Sequence, residues 1–124
     1  MAINVMTLES ILQNFVTQTN DIQGAALVTP DGLSLASNLQ VGMDEERVAA
    51  MSAAMLSLGE RISHELARGI IDRIAIEGDG GHAILTSCGQ DVVLLIMASQ
   101  TAKQGLLMLE IKRLLSELKG ALGH

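Results

Sequence analysis

The stretch "VVLLIMA", residues 92–98, holds no polar side chain. A strand with one face in water alternates apolar and polar residues, whereas a strand that is covered on both faces need not. We therefore expect this stretch to lie in the middle of a sheet, with helices above and below it. Asp91 and Lys103 bound the apolar region, which is far shorter than the roughly 20 residues of a membrane-spanning helix.

Two hairpins are predicted on the N-terminal side of this strand. Residues 24–37, "GAALVTPDGLSLAS", place two short apolar segments around a Pro-Asp-Gly turn at 30–32. Residues 70–77 and 82–87 alternate well enough for strands, and "GDGG" at 78–81 between them is typical of a tight turn. Together with the central strand, these segments give a sheet of five strands.

Apolar residues recur at helical steps in three further segments. The first runs from Val5 to Phe15, the second begins at Asp44 as N-cap and ends near Gly69, and the third covers 102–122. The order is α-β-β-α-β-β-β-α, which predicts an α+β sandwich with a five-stranded, mostly antiparallel sheet and helices on both faces. We expect residues 1–124 to form a single domain, because the chain is too short for two cores.

The composition limits the classes of function. The chain has 8 Lys and Arg against 14 Asp and Glu, a formal net charge of −6, and Phe15 as its one aromatic residue. Nucleic-acid binding needs a concentrated basic surface, and single strands need aromatic stacking platforms, so we expect no nucleic-acid partner. Cys88 is the only cysteine and "MAINVMTLES" does not resemble a secretion signal. We therefore expect a cytoplasmic protein without membrane insertion.

The second helix has two faces of different character when its residues are placed at about 100° steps. One arc holds large apolar side chains and is predicted to lie on the sheet: Val48, Met51, Met55, Leu58, Ile62 and Leu66. The opposite side holds small residues and is predicted to contact a second copy of the chain: Ala50, Ala53 and Ser57, with Ala49 and Leu56 on the flank. The alternative is that alanine, the best helix former, is simply exposed there.

The strand at 70–77 is predicted to lie at an edge of the sheet, because Ile71, Arg73, Ala75 and Glu77 give it a mixed face. An edge strand leaves N–H and C=O groups unpaired, and pairing with its own copy would satisfy them. Ile71, Arg73 and Ala75 are therefore added to the predicted dimer interface. The alternative is that Arg73 and Glu77 protect an edge that faces water.

The outer face of the second helix becomes charged in its C-terminal half, at Glu60, Arg61, His64 and Arg68. Arginines on an exposed face can pair with carboxylates of a partner or supply charge near a bound nucleotide. These four residues are predicted to bind a partner. The alternative is an ordinary solvated face, with Glu60 and Glu65 as local ion-pair partners.

No catalytic, cofactor-binding or metal-binding residue is predicted. His64 lies among charges, and His82 has no cysteine or carboxylate at metal-ligand spacing. "GDGGH" at 78–82 leads into no helix and lacks the Lys-Ser/Thr pair of a phosphate-binding P-loop. Cys88 has no base near it in sequence. The chain is therefore expected to be neither an enzyme nor itself a GTPase.

In its order of elements, the chain resembles the Roadblock/dynein light chain family, which has the roadblock/longin-like sandwich fold. The resemblance rests on "IQGAALVTPDGLSLAS" (22–37), the Ala-rich helix at 44–69 and "VVLLIMAS" (92–99). It implies a homodimer in which the second helices lie side by side and the 70–77 strands join the two sheets. Relatives are platforms for Ras-like small GTPases, and the bacterial and archaeal polarity-regulator branch stimulates GTP hydrolysis without inserting a catalytic residue.

The resemblance thus implies a homodimeric, non-catalytic regulator or scaffold of a Ras-like small GTPase. Two alternatives stay open. A sandwich with adaptable methionine packing could open a pocket and sense a small ligand. Relatives that link cargo to dynein imply instead a cytoskeletal adaptor whose binding does not depend on nucleotide.

Overall fold

The structure, a computed structural model, describes residues 4–123. It confirms the predicted α+β sandwich and its order of elements. The helices and strands are α1 (Val5–Gln18), β1 (Ile22–Val28), β2 (Ser34–Asn38), α2 (Glu45–Glu65), β3 (Arg73–Gly78), β4 (Gly81–Ser87), β5 (Val93–Ala98) and α3 (Gln104–Leu122).

The five strands form one sheet in the order β2-β1-β5-β4-β3, and every neighbouring pair is antiparallel. The apolar strand β5 is the central one, as predicted. Its side chains point alternately to the two faces. Leu94 and Ile96 are buried on one side, and on the other side Val93 is buried while Leu95 and Met97 are half-buried. This explains why the stretch lacks polar residues.

Helices cover both faces of the sheet, as predicted. The larger core lies on the side of α1 and α3, where Leu8, Leu12, Leu114 and Leu118 are fully or almost fully buried. The smaller core lies under α2. Asp44 caps α2 as predicted, since its carboxylate accepts hydrogen bonds from the backbone N–H groups of two residues in the first turn.

The second helix and the third strand have bounds that differ from the predicted ones. α2 ends at Glu65 rather than near Gly69, because Ala67 takes a positive φ of 55° that interrupts the helix. β3 begins at Arg73, later than predicted, so Ile71 lies in the loop before the strand.

Gly81 is a position in the β3–β4 hairpin that only glycine fits. Its φ is +139°, and a Cβ added there would overlap the backbone carbonyl oxygen of Ala98 on β5. Gly81→Ala should therefore lower the free energy of unfolding by roughly 3 kcal/mol, from backbone strain and overpacking together. Urea denaturation followed by far-UV circular dichroism measures this loss. Gly80→Ala is the matched control, because a Cβ at Gly80 meets nothing within 4 Å. Equal losses for the two variants would contradict the prediction.

Candidate functional site

The orientation of α2 on the sheet differs from the predicted one by roughly a quarter turn about the helix axis. Its small residues face the strands: Ala49 is fully buried, Ser52 is nearly so, and a Cβ on Gly59 would overlap the side chain of Ile74. Ala49 therefore packs inside its own chain and cannot contact a second copy, which corrects its predicted place in the dimer interface. Small side chains on this face let the helix backbone lie close to the bulky residues of the sheet.

Four large apolar side chains of the predicted stripe, three on α2 and one at its C-cap, are exposed instead of packed on the sheet. Met51, Leu58, Ile62 and Leu66 are 59%, 56%, 50% and 62% exposed, respectively. We call these four residues the apolar ridge. The two remaining members of the predicted stripe, Val48 and Met55, are only half-buried. Such a concentration of exposed apolar side chains along one helix is typical of a surface that another molecule covers.

An open apolar groove lies beside the ridge, between α2 and strands β3, β4 and β5. Its volume is about 320 Å³. The lining residues are all apolar except Ser52: Met43, Val48, Met51, Ser52, Met55, Ile74, Ile76, Ala83, Leu85, Leu95 and Met97. The groove exists because α2 packs mainly on β1 and β2 and meets β3 near Gly59, so part of this face over β3, β4 and β5 stays uncovered. One chain thus carries an apolar ridge and an apolar groove side by side.

The other predicted interface residues of α2 occupy different surroundings. Ala50 and Ser57 are exposed, whereas Ala53 and Leu56 are half-buried. A Cβ on Gly32 in the β1–β2 turn would lie 3.8 Å from the Ala53 Cβ, so Ala53 lies near this turn. A bulky residue at Ala53 would therefore disturb the fold of the single chain.

Strand β3 is an edge strand, as predicted, since only β4 pairs with it among the described residues. Its register with β4 places Ile74 and Ile76 on the α2 face of the sheet, while Arg73 and Ala75 point to the opposite face. The apolar part of this edge therefore continues the groove. Ile71 is half-buried in the preceding loop.

The predicted partner-binding residues Glu60, Arg61, His64 and Arg68 are all exposed. The first three lie on α2, and Arg68 lies in the following loop, where its Nε donates to the Leu66 carbonyl oxygen at 2.9 Å. Within residues 4–123, neither Arg61 nor Arg68 forms an ion pair, so the local pairs with Glu60 and Glu65 are not formed. Both guanidinium groups remain open to a carboxylate of another molecule.

The remaining residues that could act in catalysis or metal binding do not form a common site. His82 lies opposite Glu77 in the β3–β4 register, and "GDGG" forms the turn of that hairpin. Cys88 is fully buried, and burial raises the pKa of its thiol to about 11, against a smaller opposing effect of Lys119. Such a thiol is a poor nucleophile near neutral pH. In the described part of the chain, no three His, Cys, Asp or Glu side chains are arranged to hold a metal ion, and no helix is long and apolar enough to cross a membrane.

Comparisons with known proteins match this architecture. A family model described as the Roadblock/LC7 domain matches residues 8–98. Two uncharacterized proteins of Methanocaldococcus jannaschii are each 30% identical over 104 residues, which are 84% of this chain and 90% of each relative. The Roadblock/LC7 domain from Streptomyces avermitilis has a TM-score of 0.84 at 19% identity, covering 94% of this chain and 98% of that one. Myxococcus xanthus MglB has a TM-score of 0.87 at 18% identity, covering 99% and 92%. At such identities these two structures show a common fold.

Proposed function

The chain belongs to the Roadblock/LC7 domain family, and from this premise we propose that it is a homodimeric regulator or scaffold of a Ras-like small GTPase. It acts by binding the GTPase and supplies no catalytic residue of its own. The single observation that carries the proposal is the apolar ridge on α2, which a chain acting alone would leave in water.

A second copy of the chain is the occupant that fits the ridge best. A two-fold interface needs one surface that is complementary to itself, and a ridge beside a groove has this property, since each ridge can enter the groove of the other copy. The groove is lined almost entirely by apolar atoms, so it gains most from an apolar occupant. Its methionines, Met43, Met51, Met55 and Met97, adapt readily to the shape of the incoming side chains.

The edge strand β3 supports the same arrangement. Ile76 is 46% exposed at this edge and lies on the face that carries the ridge and groove. Pairing of β3 with the β3 of a second copy would satisfy the free backbone groups and bring two α2 helices together over one continuous sheet. Of the predicted interface, Ala50 and Ser57 then lie beside the contact and Leu56 packs on its own sheet, while Arg73 and Ala75 take part through the backbone of β3.

The GTPase contact is assigned to the charged residues beyond the ridge. Glu60, Arg61, His64 and Arg68 are exposed, and the guanidinium groups of Arg61 and Arg68 have no ion-pair partner in residues 4–123. A GTPase surface that carries carboxylates would form ion pairs with them. Such pairs would orient the two proteins and raise the association rate. The family resemblance implies such a partner and does not require a catalytic side chain from this protein.

Charge reversal at these arginines tests the GTPase contact. The partner to use is a Ras-like small GTPase from the same organism, loaded with GTP or GDP. Arg61→Glu combined with Arg68→Glu should weaken the complex at least about tenfold, because two attractive pairs become repulsive. Calorimetry measures the affinity, and single-turnover hydrolysis measures the effect on the GTPase. Lys112→Glu combined with Lys119→Glu is the control, since it changes the charge equally on α3.

The outcome of the same experiment separates the competing functions. If wild-type protein forms no complex and leaves both GTP hydrolysis and nucleotide release unchanged, the regulator proposal fails. Equal affinity for the GDP-bound and GTP-bound forms of the GTPase favours an adaptor whose binding does not depend on the nucleotide. The groove of about 320 Å³ favours a small-ligand sensor as the second candidate, which requires an apolar compound that raises the melting temperature.

A further inference from the structure

The charges of this protein are unevenly distributed along the chain. Residues 103–124 contain four of the eight Lys and Arg residues but only two of the fourteen Asp and Glu residues. The cations are Lys103, Lys112, Arg113 and Lys119, all exposed on α3 or at its start. An otherwise acidic protein therefore carries one basic helix.

Exposed apolar residues lie among these cations. Leu106 and Leu109 are 57% and 65% exposed on α3. Leu109 lies about one turn before Lys112 and Arg113, and Leu106 lies about two turns before them, at the rim of the cavity between α1 and α3. The guanidinium of Arg113 donates to the Glu110 carboxylate at 2.7 Å, and the Glu110 side chain is mostly buried. Arg113 and Glu110 thus balance each other, and the other exposed charges of the helix within residues 4–123 are Lys103, Lys112 and Lys119 against Glu117.

We propose that this outer face of α3 docks on an anionic membrane surface, with Leu106 and Leu109 at the headgroup boundary and the cations beside lipid phosphates. The inference rests on the proposed dimer. α3 lies on the opposite face of the sheet from α2, so a dimer formed through α2 and β3 presents both copies of α3 on the same side. Two weak attachments then act together, which strengthens binding without any new contact.

The shape of the surface favours a lipid membrane over an acidic protein segment. Leu109 lies on the convex outer side of the helix, which suits contact with the headgroup layer of a membrane. The concave alternative is the cavity of about 480 Å³ between α1 and α3, and it is lined by carboxylates of Asp21, Glu110 and Glu117 as well as by Lys103 and Arg113. A cavity with charges of both signs does not select an acidic segment.

The overall negative charge of the chain does not prevent this docking. The acidic first turn of α2, with Glu45 and Glu46, lies on the other side of the sheet. Two packed layers separate it from the outer face of α3, a distance of about 20 Å. This exceeds the Debye length of about 10 Å at 0.1 M salt, so these carboxylates are largely screened from the membrane.

Vesicle sedimentation tests the proposal. Wild-type protein should bind phosphatidylcholine vesicles that contain about one third phosphatidylglycerol, and should bind pure phosphatidylcholine at least about tenfold more weakly. Lys112→Gln combined with Arg113→Gln should reduce binding to the anionic vesicles at least about tenfold, and Leu109→Ser should reduce it several-fold. Arg61→Gln combined with Arg68→Gln removes the same charge from the α2 side and should leave binding unchanged.

The possible results keep this inference separate from the proposed dimer. Light scattering on the same samples reports the oligomeric state. A dimer that does not bind anionic vesicles overturns the membrane inference and leaves the dimer intact, whereas a single chain that binds them through Lys112 and Arg113 supports the membrane surface and contradicts the dimer. Equal losses in the α3 and α2 variants overturn the inference. Binding of polyglutamate but not of vesicles also overturns it, in favour of an acidic protein partner.

Discussion

Leu58→Glu is expected to convert the proposed dimer into single chains of 13.1 kDa in light scattering. Leu58 lies in the middle of the apolar ridge and is 56% exposed in the single chain, so the substitution should not disturb folding. Two-fold symmetry places two new carboxylates in one interface. Burying them there requires the removal of their hydration water, which opposes association. We expect the dissociation constant to rise at least about a thousandfold.

Two control variants make this result specific to the ridge. Ser57→Glu adds the same charge one residue earlier, about 100° around the helix, on the side that the sequence predicts as the interface. Thr17→Glu adds it on the exposed side of α1. If Ser57→Glu separates the chains and Leu58→Glu does not, the interface is the small-residue face. Ala53→Glu is unsuitable, because Ala53 is half-buried near Gly32 and the variant would confuse folding with association.

The sheet could be predicted from the sequence because its signals are local. The unbroken apolar stretch at 92–98 identified the central strand, and turn-forming residues at 30–32 and 78–81 identified both hairpins. A strand that is covered on both faces has no face in water and therefore needs no polar side chains. Its apolar composition alone thus indicates that it is a central strand. The end of α2 was harder to predict, because a non-glycine residue, Ala67, takes the positive φ that interrupts the helix.

The orientation of α2 could not be read from the same kind of pattern. Periodicity divides a helix into faces, but an apolar stripe that a partner covers looks the same in sequence as one that packs on its own sheet. The informative residue was Gly59. Glycine in the middle of a helix costs about 1 kcal/mol relative to alanine, which indicates that something approaches closely on that side. Ala49, Ser52 and Leu56 share the face of Gly59, and together they mark the contact with the sheet.

Two neighbouring leucines of β5 should respond differently to alanine substitution, because they point to opposite faces of the sheet. Leu94 is fully buried among residues of α1 and α3, whereas Leu95 is half-buried in the open groove. Leu94→Ala removes core packing that one chain completes by itself. It should lower the free energy of unfolding by about 3–5 kcal/mol at every protein concentration.

Leu95→Ala should instead act mainly through association. In a single chain the groove is open, so the substitution removes little packing, but in the proposed dimer a second copy covers Leu95 and the loss becomes larger. Urea denaturation at two protein concentrations about a hundredfold apart measures the difference, since a folded dimer gains stability with concentration. The wild-type midpoint should rise with concentration, and Leu95→Ala should diminish that rise while Leu94→Ala preserves it. If the wild-type midpoint does not depend on concentration, and the Leu95→Ala loss is the same at both, no second copy covers the groove. It would then remain open for the apolar ligand of the sensor hypothesis.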